Sequence, residues 1–485
     1  MEELSKTIKK LSQEEYQKLL IEVTGNRKNK PYMVLEALRN EEVDEHALMS
    51  HLQVNRNTFY TLKSRLNYKI ANLLSKKIDN PISALMEEVT RIPATLYGTN
   101  KSVAIKALID LERQLIEYDL NNELITVYKN LARLYQNQPE EYQYYNNAYE
   151  QRVAFFLSLI KAEDLFYEFF RQMGIYKMTK EEGEFEKLKE ILRKMTNILE
   201  LYDSHRMYVM YNIIKIYFHC NDPEKRDGLK YMEMEIEDVL RKIKKLFDKY
   251  ELDTFYQNIK HIPDFIHFEF YLKINNNVRA DYYYQQIMPH IVDYARKPIM
   301  APYITEILQS KVELFISEND LIGLERLYNS LAENYEVDTN EIYHFMAWKR
   351  FQAIIKFYRG DYSGAAKIIN DLRTEVSLKP FPITDAELKL FQALQYSIIG
   401  EENMTLQLLS SIKRQVRALD EETDEIELMV KLVKYAFKPT EFRRKMRHIT
   451  EMWGKIKELT KRPDSVLWYL NLEDSLLRRM ANPIK

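Results

Sequence analysis

Glycine, proline and cysteine are scarce in this chain. Its 485 residues include 10 glycines, 14 prolines and one cysteine. Sheet-rich folds, dinucleotide-binding domains and barrels need turn residues at many more places, so the composition argues against them. One compact core supports at most about 250–300 residues. We therefore expect an almost wholly helical protein, built from several domains or from a repeat array.

Features that would direct the chain to an oxidising compartment or a membrane are also missing. Cys220 is the only cysteine, so no intrachain disulfide can form. The chain opens on polar residues, Met1-Glu-Glu-Leu-Ser-Lys, and no apolar signal-peptide core follows them. No run approaches the ~20 apolar residues that span a bilayer. We expect a cytoplasmic protein without membrane insertion.

The motifs of common enzymes and metal sites are absent from the sequence. It contains no phosphate-binding loop and no His-Glu-x-x-His, and one cysteine excludes Cys-x-x-Cys. The nine histidines are dispersed, and no two have the i, i+4 spacing that directs a pair of imidazoles at one metal. We therefore expect no catalytic residue, no metal and no cofactor.

A helical hairpin recurs in the second half of the chain. In its clearest copy an apolar helix containing Ala353 runs to Gly360, and a second helix then begins with Ala365. The four best copies are predicted to turn at Asn277, Asn319, Gly360 and Gly400, which are 42, 41 and 40 residues apart. Looser copies are predicted near Asn137, Gly174 and Asn221.

The unit around Gly360 resembles the tetratricopeptide repeat, because small alanines flank a Gly-x-aromatic turn between two helices. The resemblance covers about residues 270–420 and, more weakly, about 100–270. The consensus Trp and terminal Pro are mostly missing, and the step is longer than the usual repeat of about 34 residues. The resemblance implies a superhelical array of hairpins, a fold that commonly binds partner proteins.

The segment before residue 80 is similar to a helix-turn-helix preceded by two short helices. Leu48, Leu52, Phe59, Leu62 and Leu66 are expected to face inward, and Val54 to fill the turn. No acidic residue occurs between Asn55, the expected cap of the second helix, and Ile78. Phosphate contact favours such a basic helix. The candidate DNA contacts are Arg56, Asn57, Tyr60, Thr61, Lys63, Ser64 and Arg65. The alternative is a three-helix cap on the array, with a solvated basic face.

Tyrosine is unusually common, at 35 residues, and it occurs in clusters. Most of these rings are expected to pack between helices, but three adjacent tyrosines on one helix cannot all face its core. Exposed tyrosines are preferred anchors in protein interfaces. The candidate partner contacts are Tyr145, Tyr149, Tyr282, Tyr283 and Tyr284.

These patterns predict an all-α chain in three parts: a helix-turn-helix-like domain (1–80), a tetratricopeptide-like array (81–437) and basic C-terminal helices (438–485). The last part has twelve basic residues against six acidic ones. The leading prediction is a non-enzymatic scaffold that binds a protein or peptide in an aromatic-lined groove. The alternative is a transcription regulator that binds duplex DNA through 1–80 and uses the repeats to sense or dimerise. The partner, self-association and the binding face stay open.

Overall fold

Helices account for most of the chain whose structure is described. A computed structural model describes residues 29–40, 58–66, 81–222, 226–251, 253–297, 300–417, 424–459 and 469–482, with a few further positions before residue 55. Across these ranges the regular secondary structure consists of α-helices and two short 3-10 helices, and no strand occurs. The predicted all-α fold class is therefore confirmed.

The chain divides into two compact units, Met1–Tyr149 and Glu150–Lys485. The division falls inside a long helix, Pro139–Thr179. The domain boundaries predicted after residues 80 and 437 stay predictions.

The first unit contains two separate apolar clusters. One joins buried residues between Ile8 and Leu66, including those of α1 (Lys30–Asn40), and the other joins α2 (Pro81–Gly98), α3 (Lys101–Glu117) and α4 (Asn121–Leu134). In α3 the residues Ala104, Leu108, Leu111 and Leu115 are buried, and their spacing of three and four forms the core-facing stripe of an amphipathic helix. The helices are α1 (Lys30–Asn40), α2 (Pro81–Gly98), α3 (Lys101–Glu117), α4 (Asn121–Leu134) and α5 (Pro139–Thr179), and residues 58–66 are also helical.

The second unit has one continuous apolar core that extends from Phe155 to Ala481. Two 3-10 helices, Arg226–Met232 and Met288–His290, interrupt its α-helices. Its α-helices after α5 are α6 (Glu182–Leu201), α7 (His205–Asn221), α8 (Glu233–Lys249), α9 (Thr254–Asn258), α10 (Ile262–Lys273), α11 (Asn277–Ile287), α12 (Ile291–Ala295), α13 (Ala301–Glu318), α14 (Leu321–Leu331), α15 (Ile342–Tyr358), α16 (Tyr362–Glu375), α17 (Pro382–Ile399), α18 (Glu402–Val416), α19 (Asp424–Tyr435), α20 (Phe442–Leu459) and α21 (Asp474–Ala481).

Neighbouring helices in this unit pair as hairpins. The pairs α7–α8, α10–α11, α13–α14, α15–α16 and α17–α18 each pack together. The first helices of successive pairs also contact one another, α7 with α10, α10 with α13, and α13 with α15. We call α7, α10, α13 and α15 the first-helix row. Ala353 and Ala365 are fully buried in α15 and α16, where small side chains let two helices approach closely.

Three of the four predicted turns are confirmed, and one is displaced by two residues. Asn319, Gly360 and Gly400 have left-handed backbone, with φ of 57°, 80° and 85°. In the remaining hairpin the left-handed residue is Asn275 (φ 58°) instead of Asn277. Asn277 is the first residue of α11, because Asn276 caps that helix by accepting a hydrogen bond from the Arg279 amide.

Gly174 is not a turn, so the looser repeat copy predicted there is wrong. It lies inside α5, where a Cβ atom would come within 2.7 Å of Cδ1 of Tyr343 in α15. Glycine therefore serves close approach between helices at this position. The other two looser positions do lie at helix ends, since Asn137 precedes α5 and Asn221 is the last residue of α7.

Candidate functional site

A buried ion pair joins α5 to the first-helix row. The Lys177 ammonium lies 2.5 Å from the Glu306 carboxylate of α13, and both side chains are more than nine-tenths buried. The Tyr217 hydroxyl accepts a hydrogen bond from Lys177 at 3.0 Å and donates one to Glu306. The Tyr343 hydroxyl donates to the other Glu306 oxygen at 2.7 Å. One carboxylate therefore ties together four helices, α5, α7, α13 and α15.

A second set of polar contacts lies on the neighbouring helices α10 and α13. Lys273 pairs with Glu313 at 2.5 Å, and the Ser310 hydroxyl donates to the buried carboxyl group of Glu269. We call both sets together the inner polar cluster: Lys177, Tyr217, Glu269, Lys273, Glu306, Ser310, Glu313 and Tyr343.

The pKa values of the two fully buried carboxyl groups of the cluster, Glu306 and Glu269, are shifted in opposite directions. Burial opposes ionisation of Glu306, but the Lys177 charge and the three hydrogen bonds outweigh it and lower the pKa of Glu306. Burial dominates at Glu269 and raises its pKa to about 7, although Lys273 and Ser310 oppose the rise. Near neutral pH the folded chain therefore holds a proton on Glu269 part of the time.

The cluster acts chemically as a set of internal ties between helices. Its ions are paired and hydrogen-bonded, and removing one member of such a pair leaves an uncompensated buried charge. Cys220 lies nearby, and burial together with the Glu269 charge raises the pKa of its thiol, which makes it a poor nucleophile. Within the described ranges no group of three or more His, Cys, Asp or Glu side chains could hold a metal ion.

A non-helical segment near the C-terminus packs against the first-helix row. Tyr469, Leu470 and Leu472 are at most 5% exposed. The Tyr358 hydroxyl of α15 donates to the Tyr469 carbonyl oxygen at 2.6 Å and accepts from the Asn471 amide at 2.9 Å. We call Tyr469–Leu472 the C-terminal segment.

Two cations complete the contacts of the C-terminal segment. The Arg350 guanidinium lies 5.4 Å from the centre of the Tyr469 ring. Lys457 of α20 donates to the Asn471 side chain at 3.2 Å. Burial raises the pKa of Tyr469, the Arg350 charge opposes the rise, and the charges of Glu313, Glu306 and Glu269 add to it.

Exposed apolar side chains gather where the turns of three successive hairpins meet. Glu233 at the start of α8 binds Arg279 of α11 at 3.2 Å, and Asn277 of α11 donates to Ser317 of α13 at 2.9 Å. These contacts place the hairpin turns side by side. We call the exposed residues there the turn edge: Met234 (82% exposed), Val278 (85%), Tyr282 (59%) and Ile322 (70%).

The candidate DNA contacts that the structure describes lie on the helical residues 58–66. Tyr60, Thr61, Ser64 and Arg65 are exposed, and Lys63 is half-buried with its ammonium 5.6 Å from the Tyr60 ring. Arg56 and Asn57, with the expected cap Asn55, lie outside the described residues. The residues expected to face inward do pack in one cluster with α1: Leu48, Leu52, Phe59 and Leu66 are buried, and Val54 and Leu62 are half-buried.

The five candidate contact tyrosines differ widely in exposure. Tyr145 is buried and stacks on Tyr135 with ring centres 5.5 Å apart, and burial raises its pKa to about 12. Tyr149 and Tyr283 are half-buried, and Tyr284 is buried. Tyr282 has the most exposed ring of the five.

Sequence reasoning missed the inner polar cluster and the C-terminal segment. One signal was present: α13 places Glu306, Ser310 and Lys311 inside an otherwise apolar helix, where charged residues need partners. The identity of those partners had no local signal, because Lys177 and Glu306 are far apart in the chain.

No described helix is both long enough and apolar enough to cross a membrane. Comparison with protein-family models, curated proteins and solved structures found no match.

Proposed function

We propose that this chain is a non-enzymatic helical-repeat scaffold that binds a protein or peptide partner. The observation that carries the proposal is the turn edge, where Met234, Val278, Tyr282 and Ile322 expose apolar surface on adjoining hairpins. Contiguous exposed apolar patches mark interaction sites in soluble proteins, whereas isolated exposed residues do not. Tyr282 is the aromatic anchor of this surface, since interfaces favour tyrosine at their centre.

The proposed contact surface is the turn edge and not a groove on the first-helix row. The inner polar cluster lies buried between the helices of that row, and the C-terminal segment packs on α15. Val278 and Tyr282 are about one helical turn apart on α11, so their side chains project from the same face of the helix. A partner segment with two apolar side chains at matching spacing would bury both.

Paired substitutions at the turn edge test this proposal. Val278→Ser with Tyr282→Ser removes two anchors without disturbing the core, because both side chains are mostly exposed. A crosslinked pull-down from the native cells should recover a stoichiometric protein with the unmodified chain and lose it with this variant. Tyr97→Ser is the matched control, since Tyr97 is 93% exposed on α2. Equal recovery with all three chains would overturn the proposal.

A second candidate function is duplex DNA binding through the N-terminal helices. The exposed face of residues 58–66 favours it, because Tyr60, Thr61, Ser64 and Arg65 are side chains that contact bases and phosphates. Lys63→Glu with Arg65→Glu tests this candidate. Each lost phosphate contact should reduce the slope of log affinity against log salt by about 1. An unchanged slope would remove DNA binding from consideration.

A further inference from the structure

The C-terminal segment is bound in the manner of a peptide ligand. Its contact with α15 is made through the main chain, where one hydroxyl group of Tyr358 bonds both the Tyr469 carbonyl and the Asn471 amide. Three of its four side chains, Tyr469, Leu470 and Leu472, are buried, and that of Asn471 is half-buried. Main-chain bonds supply affinity and buried side chains supply specificity in known modes of peptide recognition.

The surroundings of Tyr469 form a specific receptor for an aromatic ring. Arg350, itself 5% exposed, lies 5.4 Å from the ring centre, which is within the range of a cation–π contact. A cation–π contact needs an aromatic ring, so the site favours an aromatic side chain over an aliphatic one at this position.

We propose that Tyr469–Leu472 is an internal ligand, and that its site binds a partner peptide of the form Tyr-Leu-polar-Leu when the segment is displaced. This goes beyond the proposed function, because the site is distinct from the turn edge. The segment reduces the affinity for an outside peptide by the fraction of molecules in which the site is occupied. The chain therefore regulates its own second binding site.

Hydrogen exchange on the unmodified chain tests whether the segment opens by itself. If the segment is a displaceable ligand, the Asn471 amide, which is bonded to Tyr358, exchanges at least ~10-fold faster than the amides of Ile354 and Ile355 in α15, because only local opening is needed. Equal exchange rates would show that the segment opens only with the array, and would overturn the proposal even if no variant folds.

Peptide binding provides the second measurement. The probe is a fluorescein-labelled peptide with the sequence of residues 466–475, and the receptor is the full chain with Tyr469→Ala and Leu472→Ala. This receptor should bind the probe ~10-fold or more tightly than the unmodified chain, because its site is vacated. Adding Tyr358→Phe should weaken binding again, because the main-chain bonds are lost.

Controls separate this inference from the proposed function. A probe with alanine in place of Tyr469 should not bind, and the turn-edge variant Val278→Ser with Tyr282→Ser should leave probe affinity unchanged. A folded receptor, judged by an unchanged circular dichroism spectrum, that binds the probe no better than the unmodified chain would overturn the inference. The turn edge would then still stand on its own test.

Discussion

Individual residues in this chain decide how closely its helices approach and which charges they bury. Gly174 lets α5 pack against the ring of Tyr343, and the same tyrosine donates to Glu306. Tyr343 therefore takes part both in the close approach of α5 and α15 and in the hydrogen bonds to the buried Glu306 carboxylate. Changes at these residues are expected to act on stability, since none of them is exposed.

Gly174→Ala is expected to destabilise the second unit by about 1–3 kcal/mol, the usual cost of overpacking a core. The added Cβ would lie 2.7 Å from Tyr343, and that ring is confined by its bond to Glu306. Gly183→Ala in α6 is the control, because nothing lies within 4 Å of its Cβ position. It should be neutral or stabilising, as alanine favours helix. Urea unfolding of the two variants measures the difference, and equal midpoints would contradict the account.

Glu269 is expected to make stability depend on pH. Its pKa is about 7 in the folded chain and near 4.3 in an unfolded one. Between these pH values the folded state keeps a proton that the unfolded state has lost. The contribution of Glu269 to the free energy of unfolding is therefore complete below about pH 4 and is lost as the pH rises through about 7.

Glu269→Gln removes this dependence because glutamine does not ionise. Relative to the unmodified chain, the variant should gain unfolding free energy between pH 5 and pH 8, on the order of 2 kcal/mol. Urea unfolding at both pH values measures the gain, with the exposed Glu186→Gln as control. If the unfolding free energies of the variant and the unmodified chain differ by the same amount at both pH values, burial of Glu269 is not the cause of the pH dependence.

At the scale of elements, the hairpin turns share one left-handed backbone conformation, which different residues adopt. A left-handed residue follows or ends the first helix in each hairpin, and in three of the four hairpins the side chain of the next residue caps the second helix; Glu401 makes no such bond. Asn276 and Asp361 both accept a hydrogen bond from the amide three residues on. At Gly360 the Asp361 amide also bonds the Lys356 carbonyl at 2.9 Å, which closes the helix end as a Schellman motif does.

Gly360→Ala should therefore cost about 1–2 kcal/mol through backbone strain alone. No atom lies within 4 Å of the added Cβ position, so crowding does not contribute. Gly360→Asn should cost less, because Asn319 adopts the same left-handed backbone in the neighbouring hairpin. Thermal unfolding ranks the variants. An alanine variant as stable as the asparagine variant would contradict this explanation.

The turns were largely predictable from sequence because few residue types tolerate left-handed backbone. Gly360, Gly400 and Asn319 were located for this reason. The run of three asparagines at 275–277 was ambiguous, because each tolerates the turn and only the cap bond of Asn276 decides. Gly174 was misread because glycine serves a turn and a close approach equally well, and its neighbour is a residue of α15.

The candidate sites were less predictable, since they depend on contacts between distant residues. The Lys177–Glu306 pair and the Tyr358 bonds to the C-terminal segment each join parts of the chain more than 100 residues apart. The exposure of one tyrosine in the run 282–284 did follow from helical geometry. The packing of α11 on α10 decides that Tyr282 is the exposed tyrosine of this run.

At the scale of the whole molecule, the account assigns binding to exposed surface and not to buried chemistry. The formal net charge is −2, so no overall field recruits a polyanion. Partner choice must then come from local surfaces, the turn edge in the second unit and the basic helix of residues 58–66 in the first. These surfaces predict different partners and respond to different substitutions.

One measurement separates these two surfaces most directly: a crosslinked pull-down from the native cells, with and without nuclease, using three versions of the full chain. These are the unmodified chain, Val278→Ser with Tyr282→Ser, and Lys63→Glu with Arg65→Glu. The account predicts a stoichiometric protein partner that survives nuclease, persists with the N-terminal variant and disappears with the turn-edge variant. Recovery of DNA that only the N-terminal variant loses, with no protein dependent on Val278 and Tyr282, would contradict it.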